Sequence, residues 1–235
     1  MVEGHLAVAR LLNSSYRTRS VVVAATHAPR FTPLLTAAAA AGADAVIASP
    51  AVLQEVCGFN PHRGVLAVGE RAVMSEPAAL VDRPGLLVAA EGLNDGENLG
   101  ALGRTVAAFG VAGLLLDPTC ADPLTRRAVR VSLGHILDVP LGRPQPWPEV
   151  LFRPDVEVVA LTPRRGAEAL AHYAARRRVD PVRTTVVVVG AEGPGLSSAV
   201  LERAVRVRIP MAPGVDSLNV ASASAVALSH LRSDL

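Results

Sequence analysis

Hydrophobic residues fall along this chain in short unbroken runs separated by stretches of helical period, a pattern that predicts strands and helices in alternation. Near the start, Leu6, Val8, Leu11 and Leu12 predict a short amphipathic helix, residues 20–24 a buried strand, and residues 33–41 a helix closed by Gly42. Residues 45–47 then read as a strand, 51–56 as a helix and 64–68 as a third strand. Together they make a small α/β unit of roughly seventy residues, near the lower end of independent domain size. From Glu70 to Gly85 the pattern fails, because Glu76, Pro77, Asp82, Arg83 and Pro84 interrupt it. The expected division is a first domain over 1–72, a linker over 73–85 and a second domain over 86–235.

The alternation resumes with a strand at 86–90, a polar loop at 91–98, a helix at 99–109 stopped by Gly110, and a strand at 114–116. A helix around 124–133, a strand near Val139, a strand at 156–161 and a helix at 167–175 continue it. The β-branched run at 184–190 is of the kind buried on both faces of a parallel sheet. A last strand carries Val205, Val207 and Ile209 and stops at Pro210, which cannot donate a ladder hydrogen bond. Behind it Pro213 and Gly214 force a loop, and Asp216 or Ser217 can cap a helix running from Leu218 to about Leu231. Ala221, Ser222, Ala223, Ser224, Ala225 and Ala227 strip that helix of bulk, so a ligand or another backbone can approach it closely; a helix packed in an α/β core has the same look.

Composition narrows the class. Half of the 235 residues are hydrophobic but only 3% are aromatic, so the core is aliphatic, as in an α/β fold. All 23 basic residues are arginine and the formal charge is only +2, so net charge alone does not announce a nucleic-acid binder. A G+C-rich genome is the simplest source of that bias, although the arginine fork also suits phosphate. Cys57 and Cys120 lie far apart without metal-ligand spacing, which supports neither a disulfide framework nor a metal site. The first residues lack a basic segment followed by an apolar run, and no apolar stretch reaches membrane-spanning length. A cytoplasmic protein without metal or membrane partner is expected.

Three loops follow strands and precede helices: 91–98, 190–195 and 210–217. In open parallel sheets ligands bind beyond the carboxyl ends of the strands, so all three are expected at one edge. Gly190, Gly193 and Gly195 have the spacing G-x-x-G-x-G, which is neither a dinucleotide fingerprint nor a P-loop; a plain turn explains it as well as a binding site does. Asn98 stands near the start of the following helix, where it can serve as a cap, and Arg104 lies about a turn and a half further on, a place equally suited to an ordinary surface residue. Glu192, set between small residues, either faces solvent or meets a partner such as Arg104. Arg126, Arg127, Arg130 and the run 176–178 are candidate phosphate contacts, although charge runs are more often solvated faces.

These residues carry a resemblance. Asn98-Leu99-Gly100 with Arg104, Thr105, Ala108, Phe109 and Gly110, then Gly190-Ala191-Glu192-Gly193-Pro194-Gly195-Leu196, then Ile209-Pro210-Met211 with Ser217-Leu218-Asn219-Val220, resemble the three ordered motifs of the SpoU (TrmH) family of the SPOUT superfamily. The patch at 130–134 resembles a further family element. Val2-Glu3-Gly4 and His62-Arg63-Gly64 are similar to the substrate-binding domain that often precedes the motifs. Gly103 departs from the family pattern, which has a larger apolar residue beside the arginine.

The resemblance implies an RNA ribose 2′-O-methyltransferase: a parallel-sheet domain with a C-terminal deep trefoil knot, preceded by a small α/β substrate-binding domain. It implies S-adenosyl-L-methionine bound by Gly190, Glu192, Gly195, Ile209, Met211 and Leu218. The implied catalytic set is Arg104, Asn98, Glu192, Ser217 and Asn219. Structured RNA, ribosomal RNA before transfer RNA, is the implied partner, and a homodimer the implied assembly. Resistance-conferring ribosomal methylation and a catalytically silent RNA-binding relative are the neighbouring alternatives.

Overall fold

The computed structural model describes residues 1–58, 64–180 and 182–232. His62 and Arg63, part of the N-terminal resemblance, lie outside the described residues. Contacts divide the chain into two compact units, Met1–Val73 with Pro123–Asp138, and Met74–Asp122 with Val139–Leu235. Residues 123–138 lie in the stretch that the motifs assign to the second domain, yet they cluster with the first unit.

The first unit holds β1 (Val2–Glu3), α1 (His5–Asn13), β2 (Thr18–Ala24), α2 (Ala28–Ala40), β3 (Asp44–Ala48), α3 (Pro50–Cys57) and β4 (Val65–Gly69). Its sheet has the order β1-β4-β2-β3, with β2 parallel to β3 and antiparallel to β4. Helix α2 starts five residues before the expected Pro33, which sits inside it. Pro33 has no N–H for the carbonyl of Pro29; the Thr32 hydroxyl donates to that carbonyl at 3.4 Å and to that of Ala28 at 3.1 Å, so the turn survives.

The second unit begins with α4 (Pro77–Val81), β5 (Gly85–Glu91), α5 (Gly96–Ala108) and β6 (Leu114–Leu116). After α6 (Arg126–Val131), which belongs to the first unit, come β7 (Leu141–Gly142), β8 (Val156–Leu161), β9 (Glu168–Ala169), α7 (Leu170–Val179), β10 (Thr184–Gly190), α8 (Ser198–Leu201), β11 (Val205–Arg208) and α9 (Val220–Leu231). The seven strands run in the order β7-β6-β5-β10-β8-β11-β9, and each neighbouring pair is parallel. The β-branched run forms β10, between β5 and β8, and Thr184 to Val189 are all buried there. Residues 73–85 do more than link: Leu80 and Val81 of α4 are fully buried in the core with Leu87, Leu115, Val186 and Val188. Because β5, β10 and β11 point the same way, the loops that follow them share one edge of the sheet.

Candidate active site

The loop after β5 reaches its helix through Asp95, whose carboxylate accepts the Glu97 N–H at 2.9 Å and caps α5. Asn98 is thereby released from capping and sits in the first turn, where its Nδ2 donates to Glu192 Oε1 at 3.2 Å. Asn219 Nδ2 donates to Asn98 Oδ1 at 2.7 Å and approaches Glu192 Oε1 at 3.5 Å. The Oδ1 atom of Asn219 accepts the N–H groups of Ala221 and Ser222 at 3.0 and 3.4 Å, which makes Asn219 the cap of α9. The expected cap at Asp216 or Ser217 is thus replaced by a residue a few positions further on, because the loop continues past both before the helix turns. Three loops distant in sequence meet in one amide–carboxylate–amide cluster.

Arg104 is not part of it. The side chain is exposed and, among the described residues, forms no hydrogen bond or ion pair, so Glu192 has Asn98 and Asn219 for partners instead. Six residues beyond Asn98, Arg104 points about 240° further round the helix. On the same helix Gly100 and Gly103 are buried, and α5 packs against the small-residue helix α9.

The glycines of the second loop have separate duties. A Cβ on Gly190 would lie 2.5 Å from the carbonyl carbon of Gly195 and 2.8 Å from the nitrogen of Leu196, so the loop folds back on itself where only glycine fits. The Gly195 N–H donates to the Ala191 carbonyl at 3.1 Å and closes that turn. Gly193 and Gly195 have φ of 89° and 69° with open space around them; they are needed for the backbone path and leave it bare.

Beside this loop lies a cavity of about 370 Å³. Gly190, Glu192, Gly195, Ile209, Met211, Ser217 and Leu218, all expected site residues, line it. Leu161, Thr162, Pro163, Val189, Ala191, Gly193, Leu196, Asp216, Val220 and Ala223 complete the wall. Sequence pattern did not single out the β8 end, residues 161–163, because it carries no motif. Asn98 and Asn219 reach the cavity through Glu192, whereas Arg104 does not line it.

Two supporting networks also escaped the pattern. Glu91 accepts the Trp147 indole N–H, the Ser197 N–H and the Ser197 hydroxyl, each at 2.8 Å. Below the first loop, buried Asp117 accepts the N–H groups of Gly92 and Cys120 and the Thr119 hydroxyl. Burial works against its ionisation, but the hydrogen bonds from Cys120, Gly92 and Thr119 prevail and hold its carboxyl below the ordinary carboxylate range. Burial, with the Asp117 carboxylate beside it, pushes the Cys120 thiol up to about 12, so this cysteine is a neutral packing group. Arg143 donates to the carbonyls of Asp117, Pro118, Cys120 and Ala121, a use of arginine visible only in three dimensions.

The arginine candidates for phosphate contact are largely committed to protein. Arg126 and Arg130 share buried Glu3 at 2.8 and 3.8 Å, and Arg127 is also engaged. Arg176 pairs with Glu168 and Glu157, while Arg177 and Arg178 donate to the last carbonyls of α9, those of Leu231 and His230. The family-like patch at 130–134 likewise serves packing: Gly134 has φ of 82°, and a Cβ there would lie 2.8 Å from Cα of Ala7. Among the described residues no helix is long and apolar enough to cross a membrane, and no group of three His, Cys, Asp or Glu side chains is placed to hold a metal ion.

The profile of the SpoU rRNA Methylase family matches residues 85–229, and that of the RNA 2′-O ribose methyltransferase substrate-binding family matches residues 1–72. Uncharacterized tRNA/rRNA methyltransferases of Mycobacterium bovis and Mycobacterium tuberculosis are 40% identical over 235 residues, covering 97% of this chain and 78% of theirs. A crystal structure of an AdoMet-bound rRNA methyltransferase from Sinorhizobium meliloti shares the fold with a TM-score of 0.82 at 24% identity, covering 98% of this chain and 85% of that one. A crystal structure of an RNA 2′-O ribose methyltransferase aligns with a TM-score of 0.76 at 26% identity, covering 98% and 86%.

Proposed function

This chain belongs to the SpoU rRNA Methylase family, and we propose that it is an RNA methyltransferase that uses S-adenosylmethionine to methylate a ribose 2′-hydroxyl of structured RNA. One observation carries this reading. The Asn98–Glu192–Asn219 cluster draws three strand-end loops together beside a cavity floored by bare glycine backbone.

The wall of that cavity suits the cofactor. Leu161, Val189, Leu196 and Ile209 offer an apolar surface for an adenine, and Glu192 and Asp216 offer carboxylates to a ligand bearing two cationic groups. Gly190, Gly195, Ile209, Met211 and Leu218 hold it by main chain and apolar contact. When bound, S-adenosylmethionine supplies a methyl group on a positively charged sulfur, an electrophile for a hydroxyl oxygen.

Glu192, Ser217, Asn98 and Asn219 orient the groups around the reacting atoms. Arg104 orients the ribose or a neighbouring phosphate and stabilises negative charge developing on the attacked hydroxyl. A guanidinium stays protonated and cannot take the proton, which passes to a phosphate or water. Residues 1–72 form the RNA-binding domain, 73–85 the connection and 86–235 the methyltransferase domain. Ribosomal RNA is the favoured substrate, since a separate N-terminal domain is typical of ribosomal members. A deep trefoil knot in the C-terminal segment and a homodimer belong to the same proposal.

The test is to map ribose methylation across ribosomal and transfer RNA in a deletion strain and its parent. Loss of one 2′-O-methyl site in ribosomal RNA is expected. An unchanged map across both RNA classes would count against the enzyme.

A further inference from the structure

We propose that Glu91, the last residue of β5, is the positioning residue that holds the glycine loop in its binding shape; the inference rests on the reading of the adjoining cavity as the S-adenosylmethionine site. In the β5–β10 ladder Glu91 stands opposite Gly190, so the loop starts beside it. The loop ends at Ser197, whose N–H donates to Glu91 Oε2 and whose hydroxyl donates to Oε1, both at 2.8 Å. Both ends of residues 190–197 therefore meet one residue, Gly190 beside its backbone in the ladder and Ser197 on its carboxylate.

Between those ends the side chains of Glu192, which accepts from Asn98 and Asn219, and of Leu196, buried in the core, are the ties to other elements. Gly193 and Gly195 carry no side chain and have left-handed φ, so this backbone has many states open to it once released. Its internal tie, the Gly195 N–H to the Ala191 carbonyl, spans only part of the loop. Ser197 precedes α8, yet its hydroxyl does not cap that helix; it is committed to Glu91. The third donor, the Trp147 indole at 2.8 Å, comes from a side chain packed on the sheet core, which fixes the carboxylate itself. A carboxylate is the side chain suited to this place, because both oxygens accept and all three partners donate. Holding the loop in its bound shape before the ligand arrives removes an ordering cost from binding.

Trp147 is the only tryptophan in the chain, so its emission reports on this junction. The test compares the full chain with Glu91→Gln, which replaces one acceptor oxygen with a donor. In the ligand-free proteins, hydrogen exchange is expected to quicken over residues 190–197 while the strands stay protected, and Trp147 emission to change. Calorimetric titration with S-adenosylmethionine is expected to give a Kd weaker by about tenfold.

Unchanged exchange over the loop, or a Kd equal to that of the parent, overturns the proposal. Quickened exchange across the whole sheet does so too, since it marks a general structural role. Should Glu91→Gln not fold, Ser197→Ala keeps the backbone contact and loses the hydroxyl. It is expected to bind about threefold more weakly, and a parental Kd there is equally fatal. If the parent itself binds no S-adenosylmethionine, the methyl-transfer reading falls, and the exchange comparison still decides whether Glu91 braces the loop.

Discussion

Arg104 is exposed and has no protein partner among the described residues, whereas Asn98, Glu192 and Asn219 hold one another. Its charge is thus uncommitted and open to an RNA ribose or phosphate. Arg104→Ala is expected to lower methyl transfer by at least about a hundredfold with the S-adenosylmethionine Kd unchanged, whereas Arg104→Lys keeps part of the activity. Parental turnover in the alanine variant would remove Arg104 from the mechanism. Asp117 makes a different kind of prediction. Its folded pKa is depressed, so its contribution to stability is complete above the unfolded value of about 3.9 and is lost as the pH falls through the lower folded value. Thermal melts of the parent and of Asp117→Asn should therefore differ at neutral pH and converge below about pH 4. Curves that keep their separation in acid would show that ionisation of Asp117 is not what stabilises this loop.

Helix α9 shows how an element's ends and its function are joined. Asn219 caps it with one side-chain atom and holds Asn98 with the other, while Arg177 and Arg178 bind its final carbonyls. Asn219→Ala is expected to cost about 1 kcal/mol through the lost cap and to weaken methyl transfer beyond that, because Glu192 and Asn98 lose their shared partner. Asn219→Ser tells the two effects apart: a serine restores a cap but is too short to bridge the loops, so melting temperature should recover and activity should not. Full recovery of both would mean that only the cap matters. The small residues of α9 serve both of the uses open to them. Ala221, Ser224 and Ala227 are buried, while Ala223 lines the cavity.

At the scale of the whole molecule, the proposed homodimer is tested by sedimentation equilibrium, which should return about twice the 24.3 kDa chain mass. A single-chain mass across micromolar concentrations would refute it.

Most strands and helices were legible because burial imposes a pattern on each: the β-branched run of β10 and the apolar runs of β5 and β8 are of the kind buried on both faces of a parallel sheet. The same parallel order makes the edge-sharing of the three loops deducible from sequence, and the motif residues of two of them do line one cavity. Four features were not legible. The start of α2 depends on a Thr32 hydroxyl covering for Pro33, the burial of α4 on neighbours distant in the chain, and the cap of α9 on where a loop ends. The fourth, the place of 123–138 in the first unit, rests on Glu3 meeting Arg126 and Arg130. Local pattern by itself determined the alternating elements, the parallel core and the glycines of the second loop, because these follow from periods and backbone sterics within a few residues. Only the tertiary structure decided which polar side chains meet beside the cavity. The partners of Asn98, of Glu91 and of Arg126, Arg130 and Arg143 lie tens of residues away or more, and a hydrogen bond or ion pair across such a separation leaves no period in the chain.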